Sequence, residues 1–172
     1  MIRVPRADEL NIYYQSYLKY IPADADLLSV IKEQAGISQQ FLSSIPKEKE
    51  SYAYAVGKWT VKEVVGHLCD TERILSCRAL RFSRNDKTPL PGFDENTYTP
   101  NSNYSSRSLK NIADELAAIR QSSISLFSNM SSDMFDRVGT ANNSEYTVRS
   151  MLFMIAGHER HHLQVIREKY LS

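Results

Sequence analysis

The stretch that begins at Thr147 has fewer ways to fold than any other part of this chain. Val148, Met151, Leu152, Met154, Ile155 and Ala156 make it apolar on nearly every side of a helix. A helix without a polar face must be enclosed by protein, so it belongs at the centre of the fold with other helices around it. The hydrophobic period supplies three of them. A first helix over roughly residues 24–44 carries Leu27, Leu28, Ile31, Phe41 and Leu42 on a broad stripe that also takes in Gln34 and Ser38, and Pro46 stops it. A second starts at Thr60-Val61-Lys62-Glu63, a capping box in which the threonine hydroxyl and the glutamate carboxylate each satisfy a free backbone N–H. It runs to about Phe82 or Arg84 and buries Val61, Val64, Val65, Leu68 and Leu75. A third extends from about Ser108 to Met130, and the central helix, ending near Lys169, is the fourth. Six glycines, six prolines and no clear strand alternation predict an all-helical protein, with Gly139 to Glu145 as a turn.

Two segments lie outside this set. Tyr13, Tyr14, Tyr17, Leu18 and Tyr20 form a short helical lead-in whose aromatics read as packing on the bundle. Asn85 to Ser106, with Pro89, Pro91, Gly92 and Pro100, is a long loop between the second and third helices. Loops of that length are either ordered covers or poorly structured connections, and Phe93, Tyr98 and Tyr104 favour a cover.

At 172 residues the chain is expected to form a single domain over 1–172, large enough to bury a core without disulfides. Cys69 and Cys77, eight apart on one helix, read as small apolar residues of a reducing compartment. A net charge of +1 leaves no basic stripe for duplex nucleic acid. Neither a secretory signal nor a membrane span is visible, and the expected location is cytoplasmic.

The chemistry-bearing residues are histidines. Of four, three fall within His158-Glu159-Arg160-His161-His162 and the fourth is His67. Residues four apart share a helix face, so His158 and His162 can offer two imidazoles to one cation, while His161 points elsewhere. His67 is the remaining imidazole. Three histidines would leave a coordination position open for a reactant. The geometry makes a demand: His67 lies seven residues after Thr60 and His162 seven before Lys169, each about 10 Å from a helix end. The three rings meet at one height only if the second and fourth helices run antiparallel.

Other metal readings fit less well. His158-Glu159-x-x-His162 has the letters of a zinc-protease motif, yet the ten residues that follow offer one acid, Glu168, as a further ligand. A di-iron carboxylate bundle needs a second Glu-x-x-His unit, and none exists. One divalent ion is expected, zinc or nickel by ligand type, with iron or manganese as less favoured choices. Asp70 is a candidate to orient a ligand imidazole through its free N–H, or is a solvated helix carboxylate. Arg73, Arg78 and Arg81 are candidates to receive an anionic substrate, or form a solvated face. Glu159 sits about 100° round the helix from His158, away from the ion.

With these residues the sequence resembles the DinB-like superfamily of bacterial proteins, which includes metal hydrolases of the YfiT type, bacillithiol transferases and a mycothiol-dependent maleylpyruvate isomerase. The resemblance is carried by Gly57-Lys58-Trp59-Thr60 through His67-Leu68 and Asp70-Thr71-Glu72-Arg73, by Ala156-Gly157-His158 through His162, and by the loop Thr88 to Asp94. It implies an up-down-down-up four-helix bundle, a metal held by His67, His158 and His162, and a homodimer acting on a small molecule. It also implies water or a low-molecular-weight thiol cosubstrate as the species activated, for hydrolysis or S-transfer. The family name refers to DNA damage induction, which makes a stress response the expected setting without implying DNA binding. The competing expectation is a non-catalytic bundle whose metal is structural and which binds a ligand or partner.

Overall fold

The computed structural model describes all 172 residues. After a short 3₁₀ turn, the chain forms α1 (Ile12–Gln15), α2 (Leu27–Ser43), α3 (Val61–Ser83), α4 (Glu95–Asn101), α5 (Leu109–Ser128) and α6 (Val148–Val165), which continues into a π-helical turn, Ile166–Tyr170. The four long helices, α2, α3, α5 and α6, are the four anticipated from the hydrophobic period. Their ends follow local chemistry. Thr60 Oγ1 accepts from the Glu63 N–H at 3.3 Å while Glu63 Oε2 accepts from the Thr60 N–H at 2.7 Å, so the anticipated capping box is formed. Thr147 repeats the start signal on α6, accepting from Ser150 N at 3.0 Å.

The pairing of side chains gives the topology. Along α3 and α5, Cys69 meets Ile112, Glu72 meets Arg120 and Ser76 meets Ser123, so these helices run parallel. Along α2 and α6, Gln34 meets Ala156 and Phe41 meets Arg167, again parallel. In contrast, His67 near the start of α3 meets His158 and His162 near the end of α6, which makes that pair antiparallel. The bundle is therefore up-down-down-up, with α3 touching α5 and α6. None of its helices is long and apolar enough to cross a membrane.

The core has two apolar halves. One gathers Leu27, Ile31, Phe82, Phe127, Met151 and Phe153; the other gathers Leu42, Val65, Leu68, Ile112, Leu116 and Ile166. Between them the buried residues are polar: Gln34 and Ser38 of α2, Glu72 of α3, Arg120 and Ser123 of α5, and Glu159 of α6. Arg120 donates through Nε and Nη2 to the two Glu72 oxygens, each at 2.8 Å, and its Nη2 also lies 2.9 Å from Glu159 Oε2. Gln34 Nε2 donates to the same Glu159 oxygen. This belt ties all four helices at one level.

Two expectations are corrected. Gly139 to Glu145 is not a simple turn, because β1 (Val138–Ala141) and β2 (Ser144–Thr147) form an antiparallel hairpin. Asn142 and Asn143 take φ of 48° and 58°, the left-handed pair that a two-residue hairpin turn requires. Four-residue strands are too short for alternation to stand out. The 85–106 loop is ordered, as favoured, but it is not all loop: it contains α4, and Leu90 bonds to the hairpin through Thr140 O and Asn142 N at 2.9 and 3.0 Å.

Gly66 and Gly157 each precede a histidine of the cluster and admit an aromatic side chain. A Cβ on Gly66 would sit 2.3 Å from the Tyr104 ring, and one on Gly157 would sit 2.7 Å from Tyr17 Cβ. The loop and the lead-in thereby close on the bundle beside the histidines. Gly66→Ala is expected to cost about 1–3 kcal/mol through overpacking against a ring that is itself buried. A denaturation midpoint equal to that of the parent protein would show that Tyr104 yields freely.

Candidate metal centre

Helix α3 carries His67 about two turns past its capped start, and α6 carries His158 and His162 on one face. The antiparallel pairing brings them level. Ring centroids are 4.8 Å apart for His67 and His158, 5.0 Å for His67 and His162, and 4.5 Å for His158 and His162. His67 Nε2 and His158 Nε2 are 2.9 Å apart. One nitrogen from each of the three rings lies within 4.8 Å of the others. Nitrogens around a tetrahedral zinc with bonds near 2.0–2.1 Å stand about 3.3 Å apart, so the donor set has the dimensions of a cation site.

Electrostatics favour the ligand form of each ring. Burial lowers His67 to about 4 and His162 to about 3 from an ordinary 6.5, the latter with help from the neighbouring rings, and holds His158 well below its usual value. All three are neutral at pH 7, with lone pairs available. The unfolded chain takes up protons first as pH falls, because its histidines titrate near 6.5. Metal-free protein should therefore keep this contribution to stability above about pH 6.5 and lose it progressively towards pH 4. Urea midpoints that hold or rise as the pH is lowered from about 6.5 to about 4 would contradict the desolvated, neutral state.

With Nε2 turned to the shared point, His67 Nδ1 carries the hydrogen and faces Thr71 Oγ1 at 3.4 Å. Trp59 covers the same ring, with centroids 5.0 Å apart. Asp70 does not take the orienting part anticipated for it. Its carboxylate accepts from the Tyr104 hydroxyl at 2.8 Å, since position 70 turns toward the loop whereas position 71, a full turn from His67, shares its face. His161 points away from the cluster, as its spacing implies, and its Nδ1 pairs with the Tyr20 hydroxyl at 3.0 Å. Glu159 also turns away from the three rings, into the belt with Arg120.

The cluster forms part of the wall of a cavity of about 490 Å³. Thr71, Leu75 and Arg78 of α3 continue that wall, Met154 of α6 faces it, and the lead-in contributes Tyr14 and Tyr17. Gly92, Phe93 and Glu95 come from the long loop, so this loop is a wall of the cavity. A second cavity, of about 340 Å³, shares Trp59, His161 and His162 with the first and is otherwise lined by Lys58, Tyr54 and Tyr170 among others.

Sequence reasoning singled out neither Trp59 as a cover nor Arg120 as a buried anchor. The signal for Arg120 was present: a charged residue set among Leu116, Ile119 and Phe127 interrupts a mostly apolar face.

The model of the DinB superfamily matches residues 31–166. A protein of Oceanobacillus iheyensis named "Putative metal-dependent hydrolase" is 26% identical over 130 residues, covering 73% of each chain. Among solved structures, YfiT from Bacillus subtilis, described as a probable metal-dependent hydrolase with an unusual four-helix bundle topology, aligns with a TM-score of 0.75 at 18% identity. That alignment covers 95% of this chain and 89% of YfiT. A mycothiol-dependent maleylpyruvate isomerase aligns with a TM-score of 0.59 at 14% identity, over 84% of this chain and 59% of the isomerase. At these identities the two structural likenesses speak for the fold.

Proposed function

The chain belongs to the DinB superfamily, and from that membership we propose that it is a metal-dependent enzyme acting on a small molecule, with His67, His158 and His162 as the metal ligands. One observation carries the reading: three desolvated imidazoles converge on the wall of a cavity large enough for a substrate. A structural ion needs a closed shell, whereas this group numbers three residues and faces open space. A divalent ion in such a set supplies Lewis acidity and lowers the pKa of water or of a thiol brought to it.

The chain's own residues do the rest. Thr71 fixes the tautomer of His67, Trp59 shields that ring from solvent, and the Glu72–Arg120–Glu159 belt sets the register of α6 behind the doublet. Tyr14, Tyr17 and Phe93 give the substrate's apolar body a surface. Zinc or nickel suits three imidazoles best. The reaction is hydrolysis or thiol transfer to an electrophile. The second is supported by the additional cavity that shares Trp59, His161 and His162 with the first and offers room for a cosubstrate.

Zinc-loaded protein assayed against an ester and against an alkylating electrophile, each with and without a low-molecular-weight thiol, tests the proposal. Turnover that needs the metal is expected in one arm. If both arms stay at the level of free zinc, and stability alone responds to the ion, the metal is a staple and the catalytic reading is wrong.

A further inference from the structure

Three arginines of this protein are buried, and two of them are matched by acids: Arg120 by Glu72 and Glu159, Arg149 by Asp136 and Glu9. Arg78 has no such partner. It is 6% exposed, and its Nη2 donates to the Pro91 carbonyl at 2.8 Å. Its guanidinium lies 5.9 Å from the centre of the Phe93 ring. The ionisable groups that act on it most are Tyr14, Tyr146 and Cys77, none of them a carboxylate, and burial works against its charge. A guanidinium stays protonated at any accessible pH, so the chain holds a largely buried cation without an acid partner on the wall of the cavity. Buried charges are otherwise paired.

Where this cation sits gives it a use. Arg78 follows His67 by eleven residues on α3, three helical turns, so it lies on the same face about 16 Å along the axis. Thr71 and Leu75 fill the interval on the same wall, and Met154 and His158 descend the facing helix. The cavity is thus a groove with neutral imidazoles toward one end and a bare guanidinium toward the other. Tyr14 and Tyr146, with rings 6.1 Å apart, flank the Arg78 end. Burial pushes the Tyr14 phenol up to about 12, so at pH 7 it is a hydrogen-bond donor. The single acid on the lining is Glu95, which forms no ion pair with Arg78. A single cation with no acid paired to it suits one carboxylate at this end of the groove.

We propose that Arg78 anchors the carboxylate of the substrate, a small monoanionic molecule with an apolar or aromatic body whose reacting end lies at the three histidines. The planar fork of the guanidinium matches a carboxylate in two parallel hydrogen bonds. Phe93 and the tyrosines cover the body between the two ends. This inference rests on the histidine cluster being the reaction centre.

Binding of 4-phenylbutyrate and of its neutral amide, measured by calorimetry on zinc-loaded wild type, Arg78→Lys and Arg78→Gln with zinc content determined for each, tests it. The carboxylate should bind wild type at least about tenfold more tightly than the amide, the margin of a charge-assisted hydrogen bond. That preference should shrink in Arg78→Lys and vanish in Arg78→Gln at unchanged zinc content. A preference that survives in Arg78→Gln, or that wild type lacks, overturns the anchor. Should Arg78→Gln not fold, the ¹⁵Nε signal of Arg78 in wild type decides: it moves with the carboxylate and not with the amide, or the proposal is wrong. Repeating the titration on zinc-free protein separates the two readings. A preference kept without any zinc uptake removes the reaction centre and leaves the anchor, whereas zinc uptake with a preference indifferent to Arg78 does the reverse.

Discussion

Arg120→Ala is expected to destabilise the protein by about 3–5 kcal/mol, a large part of the stability of a domain this size. The residue is 2% exposed, and its removal strands two carboxylates, Glu72 and Glu159, at 4% and 3% exposure with no cation between them. The cost is desolvated charge left without its partner, not the loss of two hydrogen bonds. Removing the charge together with its partners should therefore recover most of the loss: Glu72→Gln, Arg120→Met and Glu159→Gln combined are expected to lie close to the parent protein in urea midpoint. Equal losses in the single and the triple variant would show that packing, and not charge, governs the belt. The metal site should respond as well, because Glu159 adjoins His158 on α6 and the belt fixes how that helix sits against α3.

His67→Ala is expected to lower zinc affinity by more than about a hundredfold, beyond the 10–100-fold that Thr71→Val should cost as a supporting contact of the same ring. Metal-free His67→Ala should still fold, with a loss limited to the ring's packing on Trp59 and its contacts with Thr71 and His158, since no charge is stranded. The difference appears on adding zinc. At a free concentration one hundred times the dissociation constant, the ion stabilises the parent by about 2.7 kcal/mol, and the variant should gain almost none of it. A variant that is stabilised like the parent would place the ion elsewhere.

What could be read from the sequence was local or periodic. The starts of α3 and α6 were legible because a threonine cap and its N–H partner lie three residues apart, and the antiparallel pairing followed from counting residues between each histidine and its helix end. His158 and His162 share a face by spacing alone. What could not be read depends on partners distant in the chain. Asp70 looked free to orient an imidazole, but Tyr104, thirty-four residues on, takes its carboxylate. Arg120 and Gln34 look like tolerated polar residues on apolar stripes until Glu72 and Glu159 arrive from two other helices. Arg78 is the converse case: among Arg73, Arg78 and Arg81, only the fold distinguishes it. Arg73 pairs with Glu115 and Arg81 with Asp86, which leaves Arg78 in the cavity without an acid. The hairpin was missed for a different reason: the paired asparagines that make its turn also occur in ordinary loops, and its strands hold four residues each.

The central claim is that imidazoles from two antiparallel helices hold one catalytic ion with a position left for a reactant. X-ray absorption on protein loaded with one equivalent of zinc measures this directly. Three imidazole nitrogens at about 2.0–2.1 Å, with no sulfur and no carboxylate of the protein completing the shell, are expected, and one imidazole should disappear in His67→Ala. Fewer than three imidazoles, or a fourth ligand from the chain itself, would contradict the account.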